Sequence, residues 1–238
     1  MEPIQGPLVQ ESPRQLAQRL DLAFTDYLLL SRALTHRSYL NEHPEAIEDN
    51  ERLEFLGDAV LDFLVGAWLY NRFPEMAEGE LTRLRSALVR TEQLAEFSLE
   101  IGLDRAMRLG RGEAESGGRQ RQALLCATFE AFTGALYLDL GLAAVEKFVE
   151  PLLESVTDQI LATGKLYDPK SQLQEWTQAH GNGAPVYRTV SARGPDHAKV
   201  FEVDVYINGK KYGHGTGQSK QMAAKAAASE AIQALSIE

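Results

Sequence analysis

The chain has 238 residues, 44% apolar and 24% charged, which is enough apolar material for a buried core and excludes wholesale disorder. Its single cysteine excludes an intrachain disulfide and a multi-cysteine zinc site. Met1 to Arg14 holds three prolines and no apolar h-region, and uncharged runs such as Phe63 to Tyr70 are too short to span a bilayer, so a soluble, cytoplasmic chain with no membrane partner is expected.

The net charge of −10 is unevenly spread. From Leu166 to the end there are 8 Lys plus Arg against 7 Asp plus Glu, whereas Met1 to Lys165 holds 16 against 27. The acid therefore sits in the first two-thirds, and whole-chain charge says little about what either part binds. Of the early basic residues 14 are Arg, and of the late ones 6 are Lys, a shift that points to two domains.

Ser12-Pro13 offers an N-cap with proline at the first helical position, leading into Gln15 to Leu20. Thr25 caps a second run, Asp26 to Thr35. A long periodic helix covers Asp49 to Tyr70, with Pro74 just past its end. Glu80 to Glu100 carries Leu81, Leu84, Leu88 and Leu94 at helical spacing and ends before Gly102. Gly110 to Gly118 is a glycine-rich loop, Arg119 to Leu140 a helix closed by Gly141, and Leu142 to Ala162 a last helix bent by Pro151. No run alternates with a period of two, so this part is all-α. Beyond Thr163-Gly164 the pattern changes. A helix over Lys170 to Ala179 precedes an extended stretch from Val186 to Ser191. Phe201, Val203, Val205 and Ile207 then alternate with polar residues, Asn208-Gly209 signals a hairpin returning through Lys210 to His214, and Ser219 to Leu235 is Ala-rich and helical. The fold class is an all-α domain over 13–142, a terminal helix and linker over 143–167, and a small α+β domain of order α-β-β-β-α over 168–237. Trp68 and Trp176 are expected in the cores.

Around Asn50-Glu51-Arg52-Leu53-Glu54-Phe55-Leu56-Gly57-Asp58, a turn of about 100° per residue puts Glu51, Glu54, Asp58 and Asp62 on one stripe, with Leu53, Leu56, Val60 and Leu64 opposite. Like charges at these spacings repel, so the stripe is either a solvated face or a site for a hard cation such as magnesium or manganese. Phe55 lies on the acidic side, which suits either an interface with another chain or burial beneath a neighbouring helix. Glu130 interrupts an apolar helix, where a carboxylate needs either an arginine or a bound cation.

These residues resemble the signature of the ribonuclease III family of double-stranded-RNA endonucleases. Thr128-Phe129-Glu130-Ala131 and Gly134-Ala135-Leu136-Tyr137-Leu138-Asp139 are similar to its second acidic helix, and the α-β-β-β-α segment to a double-stranded-RNA-binding domain. The resemblance implies a metal-dependent endoribonuclease, with Glu54, Asp58 and Glu130 holding magnesium (or manganese in its place) and no small-molecule cofactor. Asp58 and Glu130 take the catalytic part, and cleavage leaves 5′-phosphate, 3′-hydroxyl and short 3′ overhangs, as in rRNA and mRNA processing. It implies a homodimer with Phe55 as a knob in a partner socket, and secondary acidic positions at Glu51 and Glu78, the latter equally readable as a helix N-terminal charge.

One departure stands out. The family pattern has an acidic residue three before Glu130, and this chain has Ala127. The expectation is weakened metal binding and reduced cleavage, with water at the vacant position, and the alternative is a cleavage-deficient duplex-RNA-binding protein. Cys126 is expected to point elsewhere on the helix. In the small domain the resemblance assigns RNA contacts to Ser171, Gln174 and Glu175, to His197 in the loop Gly194-Pro195-Asp196-His197, and to Lys220 and Lys225. Without the resemblance, the two lysines read as an ordinary solvated helix face.

Overall fold

The computed structural model describes residues 10–162, 169–195 and 199–237. The chain divides into two compact units, Met1–Thr163 and Gly164–Glu238.

The first unit is helical. Helix α1 (Pro13–Arg19) opens with a capping box in which Ser12 Oγ accepts from the Gln15 amide and Gln15 Oε1 accepts from the Ser12 amide. Helix α2 (Tyr27–Ala33) is capped by Asp26 and not by Thr25. Thr25 instead donates through its amide and hydroxyl to Asp139, at 2.7 and 2.5 Å. The short α3 (Arg37–Leu40) leads to the long α4 (Glu51–Arg72).

The single helix expected over Glu80 to Glu100 is two, α5 (Glu78–Leu88) and α6 (Thr91–Glu100), separated where Arg90 turns extended at ψ 153°. An unbroken helix would carry Phe97 about 140° around from Leu84; the break lets both enter the core, where each is buried. The expected glycine-rich loop contains α7 (Arg111–Glu115) and a 3-10 turn at Gly118–Gln120.

Helix α8 (Gln122–Leu140) is the apolar centre of the unit, burying Leu125, Phe129, Phe132 and Leu136 and packing on α2, α4 and α6. By length and composition it is apolar enough to cross a membrane, a longer apolar stretch than Phe63 to Tyr70. Its burial on several sides accounts for that composition. Helix α9 (Leu142–Ala162) continues unbroken through Pro151 and buries Val145, Val149 and Leu153. Residues 163–167 of the expected linker lie outside the described residues.

The second unit has helix α10 (Pro169–Ala179), an antiparallel sheet of β1 (Val186–Arg193), β2 (Val200–Ile207) and β3 (Lys210–Gly217) in that order, and helix α11 (Lys220–Ala234). The hairpin turns at Asn208 (φ 49°) and Gly209 (φ 80°), the paired positive angles that favour this dipeptide. Val203, Val205 and Ile207 face the helices. On β3 the same face carries Gly213, Gly215 and Gly217, and a Cβ on either of the first two would meet the Ala227 backbone at 2.2 Å. Glycine on the strand and alanine on the helix thus let α11 lie directly on the sheet. On the opposite face Asp204 is only 6% exposed, because Lys211 Nζ and His214 Nδ1 close over it, each at 2.7 Å. The tryptophans are half-buried and not core residues: Trp68 meets Phe73 edge-on and Trp176 stacks on His180.

Candidate active site

Helices α4 and α8 touch backbone to backbone. A Cβ on Gly57 would overlap the carbonyl of Glu130, and one on Gly134 would overlap that of Leu53. Glu54 and Asp58 flank Gly57 on α4, and Glu130 sits at the same crossing on α8. Together with Glu51 and Phe55 they line one open depression of about 520 Å³. Four of its five lining residues are carboxylates and none is a cation. Asp62, expected on the same stripe, lies beyond it. Glu78 heads α5, where its carboxylate accepts from the Thr82 hydroxyl at 3.1 Å, and it does not line the depression.

The electrostatics reflect this crowding. Burial pushes the Glu54 carboxyl above its ordinary range, and Glu51, Asp58 and Asp49 add to the shift. Burial likewise raises Glu130, to about 7; a Cys126 hydrogen bond works the other way, and Asp58 and Glu54 reinforce the rise. Glu51 has an ion pair with Arg37, at 3.7 Å. Cys126 does not point away from the site as expected: one turn before Glu130, its Sγ donates to Glu130 Oε1 at 3.5 Å. Burial and the neighbouring Glu130 push the thiol up to about 12, so it stays protonated. Ala127 is half-buried and adds only a methyl group.

The donor set fits a hard divalent cation, since every polar lining group is a carboxylate and like charges gathered in a partly desolvated pocket are eased by a cation. Among the described residues no three His, Cys, Asp or Glu side chains converge closely enough to cage an ion by themselves. A cation that keeps several waters, as magnesium does, suits such an incomplete shell.

On the second unit Ser171, Gln174 and Glu175 are exposed on α10, whose buried side is Leu173 and Thr177. Lys220 and Lys225 are exposed on α11, opposite its buried alanines. Ser219 caps α11, its Oγ accepting from the Met222 amide at 3.1 Å, so the helix N-terminus carries Lys220 at its first position. His197 and Asp196 lie outside the described residues.

Sequence reasoning missed Arg37 and the contact of Cys126 with Glu130. The i, i+4 spacing of Cys126 and Glu130 was the available signal; the salt bridge from Arg37 crosses between helices and left none.

Residues 26–156 match the family model described as Ribonuclease-III-like, and residues 169–235 match that for a double-stranded RNA binding motif. The chain is 51% identical over 214 residues to Ribonuclease 3 1 of Nostoc sp., covering 89% of this chain and 94% of that one. It is 45% identical to Ribonuclease 3 of Enterococcus faecalis over 222 residues, 93% of this chain and 96% of that one. Among solved structures, the nuclease domain of ribonuclease III from Campylobacter jejuni is similar with a TM-score of 0.54 and 35% identity, covering 65% of this chain and 96% of that one.

Proposed function

Because this chain belongs to the ribonuclease III family, we propose that it is an endoribonuclease that cuts double-stranded RNA at the α4–α8 depression. The observation that carries this reading is the gathering of Glu54, Asp58 and Glu130 at a glycine–glycine helix crossing. Glu54, Asp58 and Glu130 would hold magnesium, or manganese in its place, with water where Ala127 offers no ligand. When bound, such an ion supplies a reactive water near neutral pH and charge to stabilise the developing phosphorane and the leaving 3′-oxygen. Asp58 and Glu130 orient the attacking water through their carboxylate oxygens, and the products carry 5′-phosphate and 3′-hydroxyl ends with short 3′ overhangs. Glu51 and Glu78 are secondary acidic groups near the RNA path.

The second unit binds the duplex by shape. A-form RNA hides its major-groove edges and presents 2′-hydroxyls and phosphates. Ser171, Gln174 and Glu175 on α10 meet the minor groove with His197 in the next one, while Lys220 and Lys225 meet the intervening phosphates. The working form is a homodimer, each protomer cutting one strand. Its support is Phe55, 80% exposed beside the carboxylates. A second depression of about 450 Å³, where Leu28, Leu29, Ala46 and Ile47 stand among charged residues such as Arg32 and Arg108, would be the receptacle for the partner's phenylalanine. The enzyme works in the cytoplasm on rRNA and mRNA precursors.

Ala127 favours one rival reading, a duplex-RNA binder that no longer cuts. A single experiment separates the two. A long labelled duplex is incubated with the full chain in magnesium or in EDTA, beside an Ala127→Asp variant. Magnesium-dependent products with the expected ends support the enzyme. An intact duplex, bound by folded wild-type protein and cut only by the variant, establishes the binder.

A further inference from the structure

The reading of Glu130 as a metal ligand raises the question of what orients its carboxylate. Ligating carboxylates are ordinarily held by a hydrogen bond from a second group, and losing that partner weakens metal binding even though the ligand stays. In this chain the residue three before Glu130 is Ala127, which can neither donate nor accept. Cys126 is one turn before Glu130 on the same face of α8.

We infer that Cys126 is a positioning residue for Glu130: its thiol donates to Oε1 at 3.5 Å and holds the carboxylate in the α4–α8 depression. Among the described residues, Cys126 is the one side chain hydrogen-bonded to Glu130. The sulfur is itself fixed. Cys126 as a residue is 8% exposed, packed into the apolar interior of α8. A carboxylate oxygen accepts, so the thiol is the donor in this contact. Such a donor removes rotational freedom from Glu130 without neutralising it and leaves Oε2 for a cation. A carboxylate on the same turn would add a ligand but also repulsion. A thiol adds orientation alone.

This inference rests on the proposed role of Glu130, and the test is arranged so that the two fail separately. Full-length wild type, Cys126→Ala and Cys126→Ser are titrated with manganese in the absence of RNA, free Mn2+ being followed by electron paramagnetic resonance. Cleavage of a labelled duplex in magnesium gives kcat and KM, and thermal unfolding verifies the fold. Cys126→Ala is expected to weaken Mn2+ binding and lower kcat, each by roughly 10-fold, with the KM for duplex unchanged. Cys126→Ser, whose hydroxyl also donates, restores both. A folded Cys126→Ala that binds Mn2+ and cuts like wild type overturns the inference and leaves the site reading standing. So does a Cys126→Ser variant as impaired as Cys126→Ala, since volume and not donation would then be the cause. A wild type that neither binds Mn2+ nor cuts removes both.

Discussion

A Cβ on Gly57 would lie 1.7 Å from the backbone oxygen of Glu130, closer than any side chain tolerates. The reciprocal position, Gly134, would meet the Leu53 carbonyl at 2.4 Å. The carboxylates are therefore gathered by packing and not by mutual attraction. Glu54 precedes Gly57 by one helical turn, Asp58 follows it directly, and Glu130 supplies the very carbonyl that Gly57 touches. Apolar burial along α4 and α8 offsets the repulsion that the gathered charges exert on one another.

Gly57→Ala should consequently be severe. The obstructing atom is backbone, so no rotamer change relieves it and the helices must separate. Overpacking of this kind costs up to about 3 kcal/mol, occasionally more, and should lower the melting temperature and abolish cleavage together. Gly66 in the same helix is the control. A Cβ there has only the Arg85 side chain nearby, at 3.9 Å. Gly66→Ala should therefore be neutral or stabilising by up to ~1 kcal/mol. Equal melting temperatures for the two variants would refute the packing account.

Glu130→Gln separates chemistry from stability. Burial pushes the Glu130 carboxyl up to about 7, against 4.5 for its ordinary value. Folding thus favours the protonated acid. The stability linked to that proton is fully present below the ordinary value and is lost as pH rises through 7. Without metal, Glu130→Gln should therefore melt higher than wild type at pH 8, with the gap closing as pH falls toward 4. Magnesium should raise the wild-type melting temperature at pH 8 and leave the variant's nearly unmoved. Cleavage should vanish while duplex binding persists. A melting difference that does not change with pH would sink the assignment.

If Phe55 is the dimer knob, Phe55→Ala should shift the chain from dimer to monomer in light scattering at micromolar concentration. Ile47→Lys tests the receptacle independently. Ile47 is 91% exposed in the isolated protomer, so the change should not unfold it. Both variants should dissociate. A dimer that survives Ile47→Lys but not Phe55→Ala would place the receptacle elsewhere.

Much of this was legible from sequence because local periodicity carries it. The carboxylate stripe of α4, Asn208-Gly209 at the hairpin and Ser12 at the first cap are each determined within a few residues. The break at Arg90 was not legible, since no glycine or proline marks it and only the core that Leu84 and Phe97 must both enter requires it. Trp68 and Trp176 were misplaced because large rings are often buried, whereas here an edge-on contact with Phe73 and stacking on His180 leave each half in solvent. Asp204 is one of the polar residues that alternate with the apolar ones along β2. Its burial arises from Lys211 and His214 on the neighbouring strand, a cross-strand contact that alternation alone does not reveal.

The lysines of α11 can be tested by salt dependence. Each phosphate neutralised by a lysine releases condensed counterions, so losing one contact weakens binding at low salt and makes the logarithmic salt slope shallower by roughly 1. Lys220→Ala and Lys225→Ala should each do so in fluorescence anisotropy with a labelled duplex across a potassium chloride series. The loss should be the same for duplexes of different sequence, since a phosphate contact carries no base information. Lys211 is the internal control. It lies on the sheet face away from α11 and is paired with Asp204 at 2.7 Å. Lys211→Ala should leave the salt slope unchanged. A slope altered by Lys211→Ala but not by Lys220→Ala would move the RNA-binding face to the other side of the sheet.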